Sequence, residues 1–324
     1  MFIQDRVYGA VELDEPVIEK LIHTKPLQRL KRINQAGASQ YLFPWKNISR
    51  LEHSIGVMLL LRRFGATLEE QIAGLLHDAP HTAFSHVIDY VYENEHHEYH
   101  ERFHTSILND PEVQNIFKKY VISDRVVHPE HFHLLEKNVP DLCADRIDYA
   151  LRDMQVWKRD SERTGVKLAG LTVFQGEFMF TNLHVAEAFG RDYLEIDREN
   201  YAHPREIAIY VLLAQALRHA LENKLLTQHD LFTDDEAVFD ILKTRGDAYI
   251  QKKLSFLTPR MRIEHTTREH HHLFVKPKIR YIDPKVLTDK KIKRVSEISA
   301  DFKKRLKNHI EHVSRGWYID VYKE

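Results

Sequence analysis

Apolar positions over the first 160 residues recur at helical spacing. Leu68, Ile72, Leu75 and Leu76 fall at i, i+4, i+7 and i+8 behind Thr67-Leu68-Glu69-Glu70, which reads as a capping box. Pro80 predicts that this helix stops near Asp78 and that a new one starts around His81. Asp110-Pro111 carries the signature of a helix start, with aspartate as cap and proline in the first turn. Pro140-Asp141 predicts another, along which Asp141, Asp145, Asp148, Tyr149 and Arg152 gather on one side, with Leu142, Ala150 and Met154 opposite. Carboxylates lined up along a core helix need a counter-charge, because unpaired buried charge is expensive.

The pattern changes after residue 170. LTVFQGEFMFTN (171–182) alternates about Gln175-Gly176 and predicts a β-hairpin, and DYLEID (192–197) reads as a further strand. A long amphipathic helix is expected from Pro204 and a second over 233–243. KIRYID (278–283) and WYIDVY (317–322) are strand-like, with a basic helix between them. No repeat or low-complexity linker interrupts the chain. The expected division is a mostly helical body over residues 1–250 and a basic α/β extension over 251–324 packed on it.

Bulk composition adds limits. With 43% hydrophobic and 29% charged residues, the chain has the make-up of a water-soluble protein with an ample core. Apolar runs such as Val57–Leu61 are too short for a bilayer, and the N-terminal stretch has no secretory pattern, so a cytoplasmic protein is expected. The single cysteine, Cys143, rules out an internal disulfide and suits a reducing compartment. Residues 251–324 hold 19 basic and 9 acidic side chains, leaving the rest of the chain strongly acidic. A solvated helix face is the preferred reading of that excess over a nucleic-acid surface.

The candidate chemistry lies in three blocks. Adjacent residues on a helix diverge by about 100°, so His77 and Asp78 can share an ion only near a helix end, where Pro80 places them. His53 on an earlier helix and Asp145 on a later one complete a set of two imidazoles and two carboxylates. That set suits one divalent transition metal (Mn, Fe, Co, Ni or Zn), with Mg assisting at phosphates. Such an ion lowers the pKa of bound water and polarises a phosphoryl oxygen. His81, His86, Asp89 and His100 are candidate helpers, and Arg50, Arg146 and Arg205 candidate phosphate contacts. The His270–His272 run reads as a solvated loop.

RLEHSIGV (50–57), AGLLHDAPHTAFSH (73–86) and ADRIDYALRD (144–153) resemble the successive motifs of the HD-domain phosphohydrolase superfamily. Within it they are most similar to the deoxynucleoside triphosphate triphosphohydrolases, both the dGTPase-like enzymes and those that join a sterile-alpha motif to the HD domain. The specific resemblance covers about residues 45–155, with a weaker echo at 203–215. It implies an HD-type helical bundle with a small β element. It carries the metal-ligand roles onto His53, His77, Asp78 and Asp145, the catalytic histidine and its carboxylate partner onto His81 and Asp89, and a further active-site histidine onto His86. His100-Glu101 matches a His-Glu pair, with His97-Glu98 as the alternative register. Arg50, Arg146 and Arg205 match phosphate contacts, and Tyr149 and Asp153 match residues near the sugar. The implied reaction is attack of an activated water on the α-phosphorus of a dNTP, releasing deoxynucleoside and triphosphate, by a homodimer. A nucleotide phosphatase with the same site, a cyclic-nucleotide phosphodiesterase, and a non-catalytic nucleotide- or nucleic-acid-binding regulator are the rival readings. The chain departs from the family in Ala79-Pro80, in lacking a sterile-alpha motif, and in the apolar run after Arg205.

Overall fold

The computed structural model describes residues 1–93, 99–158, 161–288 and 291–324; the His97-Glu98 register lies outside them. The chain opens with a hairpin, β1 (Phe2–Asp5) and β2 (Gly9–Glu12), paired from Phe2↔Glu12 to Asp5↔Gly9. Helices α1 (Pro16–Ile22), α2 (Lys25–Gln28), α3 (Arg50–Arg63), α4 (Leu68–Leu76), α5 (Val87–Val91), α6 (Pro111–Tyr120), α7 (Ala144–Lys158) and α8 (Ser161–Gly170) follow. Next come β3 (Leu171–Phe174), β4 (Glu177–Phe180), α9 (Leu183–Ile196), α10 (Pro204–Glu222), α11 (Gln228–Leu231), α12 (Asp235–Arg245) and α13 (Ala248–Leu254). The remainder holds β5 (Met261–His265), β6 (Leu273–Val275), β7 (Lys285–Thr288), β8 (Lys291–Arg294), α14 (Val295–Ile298), α15 (Ala300–Ser314) and β9 (Trp317–Lys323). The fold is mostly helical with small sheets, as the sequence predicts.

Several local expectations hold for the reasons given. Thr67 caps α4 by accepting from the Glu70 amide, although the Glu70 carboxylate turns outward to accept from the Leu134 amide instead of closing the box. His77 caps the C-terminal end of α4, so the helix does stop before Pro80. Asp110 accepts from the Glu112 and Val113 amides to start α6. The β3–β4 turn puts Gln175 at φ 53° and Gly176 at φ 76°, the two left-handed positions that a two-residue hairpin turn requires.

Other expectations fail. The N-terminal hairpin breaks the all-helical reading of the first 160 residues. No helix starts at His81: Phe84 and Ser85 take left-handed φ of 62° and 52°, so the backbone cannot turn helical until Val87. The third motif helix begins at Ala144, because the Asp141 carboxylate is taken by Lys285 and Arg294 and lies outside it. DYLEID is the end of α9; Phe189, Gly190, Tyr193, Leu194 and Ile196 are buried at helical spacing. KIRYID forms no ladder and runs as irregular chain.

The C-terminal extension is woven into the body. β4 pairs in parallel with β7 at Phe180↔Val286, giving the order β3-β4-β7-β8, while β9 lies between β5 and β6. Buried apolar side chains form two clusters, one around α3, α4, α7 and α9 and one around α5 and α10. Residues from both line a single large cleft of about 610 Å³.

Candidate metal centre and the cleft around it

His53, on α3, is fully buried. Its Nδ1 lies 2.7 Å from Asp148 Oδ2 and its Nε2 2.8 Å from Asp145 Oδ1, both aspartates being on α7. His77 donates from Nδ1 to the Gly74 carbonyl at 2.7 Å, which aims Nε2 toward Asp78 Oδ1 (3.5 Å) and Asp145 Oδ1 (3.6 Å). Asp78 Oδ2 is 3.8 Å from His53 Nε2. The four predicted ligands thus converge at the junction of α3, α4 and α7.

The donor set fits a cation. His77 Nε2 is buried without a hydrogen-bond partner, a costly state unless something accepts its lone pair. Burial alone would lower the His53 pKa, yet the hydrogen bonds to Asp145 and Asp148 raise it to about 10. Burial also opposes the charge on His77, and Asp78 and Asp145 still raise its pKa. Burial works against the Asp78 carboxylate too, but Arg50, His77 and His81 hold it well below the usual range. The carboxylates of the pocket therefore favour positive charge between them. Asp148 and the Gly74 carbonyl each fix an imidazole from behind, the role such outer partners play at metal sites. Glu136, Cys143 and Asp145 form a second close group, but Arg146 points a guanidinium nitrogen at Cys143 Sγ (3.2 Å), so a cation is already there.

A metal taken up by this cluster would displace the proton held at His53. The expected result is an affinity for Mn²⁺ or Zn²⁺ that strengthens as pH rises from 6 to 8, by about tenfold per pH unit for each proton released. Chelator-competition titration across that range checks it, and a flat profile would argue against these ligands.

Beside this centre stand three neutral imidazoles. His81 and His100 stack with centroids 3.9 Å apart, and His86 lies edge-on to both. Burial, aided by Arg50, pushes His81 down to about 3. Burial also takes His86 and His100 well below their ordinary value. His81 Nε2 is 3.2 Å from Asp78 Oδ1, and its Nδ1 is buried and unpartnered. The expected His81–Asp89 pair does not form. Asp89 sits 2.9 Å from His86 Nδ1 and accepts from the Tyr99 amide, because the left-handed turn at Phe84-Ser85 swings His86, not His81, over α5. Glu101 lines the cleft mouth.

The predicted substrate residues divide. Tyr149 lines the cleft with its hydroxyl 2.5 Å from that of Tyr193, and Asp153 accepts from the Tyr201 hydroxyl. Arg50 also lines it, but donates to Ser85 Oγ (2.9 Å) and Asp78 Oδ2 (2.7 Å). Arg146 is filled by the Asp141 and Lys137 carbonyls and Cys143 Sγ, and staples the 137–143 loop. Arg205 is not among the cleft-lining residues; it donates to the Pro259 carbonyl and lies over Phe43.

Two groups escape sequence reasoning. Arg152, fully buried, donates to Asp148 (2.7 Å), Glu52 (2.9 Å) and Asp5 (2.7 Å), while Tyr8 donates to Asp148 at 2.7 Å. The N-terminal hairpin thereby braces the aspartate that orients His53. The i, i+4 spacing of Asp148 and Arg152 was the available signal. The other group, Lys278 and Arg280, lines the cleft from the irregular KIRYID segment and had no motif to betray it. With Lys285 and Arg294 held on Asp141, at least part of the C-terminal basic excess faces inward, not to solvent.

A family model described as HD domain matches residues 50–151. The chain is 36% identical over its full length to the uncharacterized protein YdhJ of Bacillus subtilis (strain 168), covering all of that protein. It is 33% identical to the metal-dependent phosphohydrolase cns2 of Cordyceps militaris, across 74% of this chain and 72% of that one. A shorter match, 37% identity over 102 residues, spans 27% of this chain and 17% of the deoxynucleoside triphosphate triphosphohydrolase SAMHD1 of Bos taurus. Among solved structures, a phosphohydrolase from Bacteroides thetaiotaomicron VPI-5482 superposes with a TM-score of 0.73 at 18% identity, covering all of both chains, a likeness of fold.

Proposed function

The chain belongs to the HD-domain metal-dependent phosphohydrolases, and from that premise we propose that it hydrolyses nucleotides, with dNTPs cut to deoxynucleoside and triphosphate as the leading reaction. The carrying observation is the convergence of His53, His77, Asp78 and Asp145 on a cleft of about 610 Å³ walled by Tyr90, Tyr149, Tyr193, Tyr201 and Tyr210. A cleft of that size, with polar groups gathered at one end, accommodates a nucleotide. The match to SAMHD1 supports the dNTP reading, and the proposal includes assembly as a homodimer.

His53, His77, Asp78 and Asp145 would hold the divalent ion, which when bound supplies Lewis-acid polarisation of a phosphoryl oxygen and acidifies water. His81 and His100 are uncharged imidazoles beside the ligand cluster, placed to hydrogen-bond an attacking water or a phosphoryl oxygen. His86 is held in place by Asp89. Asp153 and the three tyrosine hydroxyls about it present hydrogen-bonding groups for a sugar. No described helix is long and apolar enough to cross a membrane.

One observation favours a second reading, a phosphatase acting on nucleotides with fewer phosphates. Arg50 and Arg146 are already hydrogen-bonded to protein and Arg205 lies elsewhere, which leaves a triphosphate tail short of the contacts the resemblance implies. Incubation of the Mn²⁺-loaded chain with dNTPs and nucleoside monophosphates, with product identification, separates the two. Triphosphate release is expected; orthophosphate as the sole anionic product would overturn the leading reading in favour of the phosphatase.

A further inference from the structure

We propose that Arg280, carried by a segment outside the residues that match the HD family model, is a substrate-binding residue whose guanidinium grips a phosphate oxygen in the cleft. The inference rests on the reading of that cleft as a nucleotide phosphohydrolase site.

Arg280 lines the cleft together with His86, Tyr90, Tyr149 and Tyr193. Among the described residues its guanidinium makes no hydrogen bond or ion pair, and it lies over the Tyr201 ring with 5.7 Å to the centroid. The other deep cations of the cleft are occupied. Arg50 is on Asp78 and Ser85, Arg146 on two carbonyls and a thiol, and Lys46 on Glu206 at 2.6 Å. A guanidinium with open donors, half-buried beside a phosphohydrolase centre, is matched in shape and charge by a phosphate, which can take two of its N–H groups at once.

The segment holds Arg280 rigidly. His309 Nε2 donates to the Arg280 carbonyl at 3.2 Å, and Ile282 is fully buried. The Asp283 amide donates to the Pro140 carbonyl at 3.1 Å, and Asp283's carbonyl receives Arg294 at 3.0 Å. The carboxylate acting most strongly on Arg280 by charge is Asp197, which is buried and lies 2.9 Å from His309 Nε2. Asp197 offsets part of the charge without filling the donors. A rigid backbone with an unfilled fork is the arrangement expected of a preorganised anion contact.

The test compares the Mn²⁺-loaded wild type with Arg280→Gln and Arg280→Lys. Calorimetric titration with inorganic phosphate and tripolyphosphate reads binding, and kcat and KM are taken on the best nucleotide substrate. Arg280→Gln is expected to weaken binding of both anions and raise KM by about 10- to 100-fold, the range of a lost charge-assisted hydrogen bond. Mn²⁺ content should be unchanged and kcat should move less than about threefold. Arg280→Lys should restore part of the loss, since it keeps the charge without the fork. Wild-type anion affinity and KM in Arg280→Gln would overturn the proposal. If that variant does not fold, Arg280→Lys decides: weaker anion binding at wild-type Tm and Mn²⁺ content supports it, and wild-type binding overturns it. A wild-type chain that hydrolyses no nucleotide defeats the functional reading instead, and the anion titrations still judge Arg280.

Discussion

His77→Ala is expected to lose the bound divalent ion and, with it, more than about a thousandfold in hydrolytic rate, since such an ion supplies several kcal/mol of transition-state stabilisation. The fold should survive. His77 Nε2 makes no hydrogen bond within the protein, and the substitution removes the bond from Nδ1 to Gly74 and the longer charge contacts to Asp78 and Asp145. Asp78→Ala should abolish activity as well, but at a different cost. It strands the buried Arg50 guanidinium, whose Nη1 sits 2.7 Å from Asp78 Oδ2, and breaking a buried pair from one side typically costs about 3–5 kcal/mol. Metal analysis, thermal melting and turnover on the same three proteins resolve the two effects. Retained metal and full turnover in His77→Ala would remove this centre from the chemistry.

Arg152→Ala is expected to be the most damaging change away from the ligands. It leaves Asp5 and Asp148 buried without their shared cation, a loss of about 3–5 kcal/mol and on the order of 10 °C in Tm. It also frees Asp148, so His53 loses its brace and metal affinity should fall by about 10- to 100-fold. Gly56→Ala should reproduce much of this without deleting a charge. A Cβ at Gly56 would stand 1.8 Å from an Arg152 nitrogen and 2.2 Å from Asp148 Oδ1, so the guanidinium must leave its place. Lysine at 152 cannot serve Asp148, Glu52 and Asp5 from one head group, and should recover little. A wild-type melting curve for Arg152→Ala, followed in the apo protein, would contradict this account.

The candidate ligands were legible because each sits in a contiguous block whose local geometry is decided nearby. Pro80 ends α4 next to His77-Asp78, and helical spacing carries Asp145 into α7. What surrounds them depends on distant parts of the chain. The partner of Asp89 follows from left-handed turns at Phe84 and Ser85, where the Phe84 amide donates to Asp235, 151 residues away. Arg146 looks like a phosphate contact until the 137–143 loop folds over it. DYLEID has the aromatic and branched residues of a strand, yet α9 packs Phe189, Tyr193 and Ile196 into the core at helical spacing, and tertiary burial outweighs local preference. Arg280 is invisible in sequence because its segment has no period and its neighbours in space are about 80 to 190 residues upstream.

The brace between the N-terminal hairpin and α7 has a kinetic consequence. Tyr8 reaches Asp148 across 140 residues and Asp5 reaches Arg152 across 147. At a synthesis rate of about 5–20 residues per second, the hairpin waits roughly 7 to 30 seconds before its partners emerge. Helices α3 and α4 can form meanwhile from local contacts, but closing so long a loop is entropically unfavourable until α7 docks. In refolding, the ability to capture a metal should therefore appear with the last cooperative phase and lag behind the recovery of helical signal.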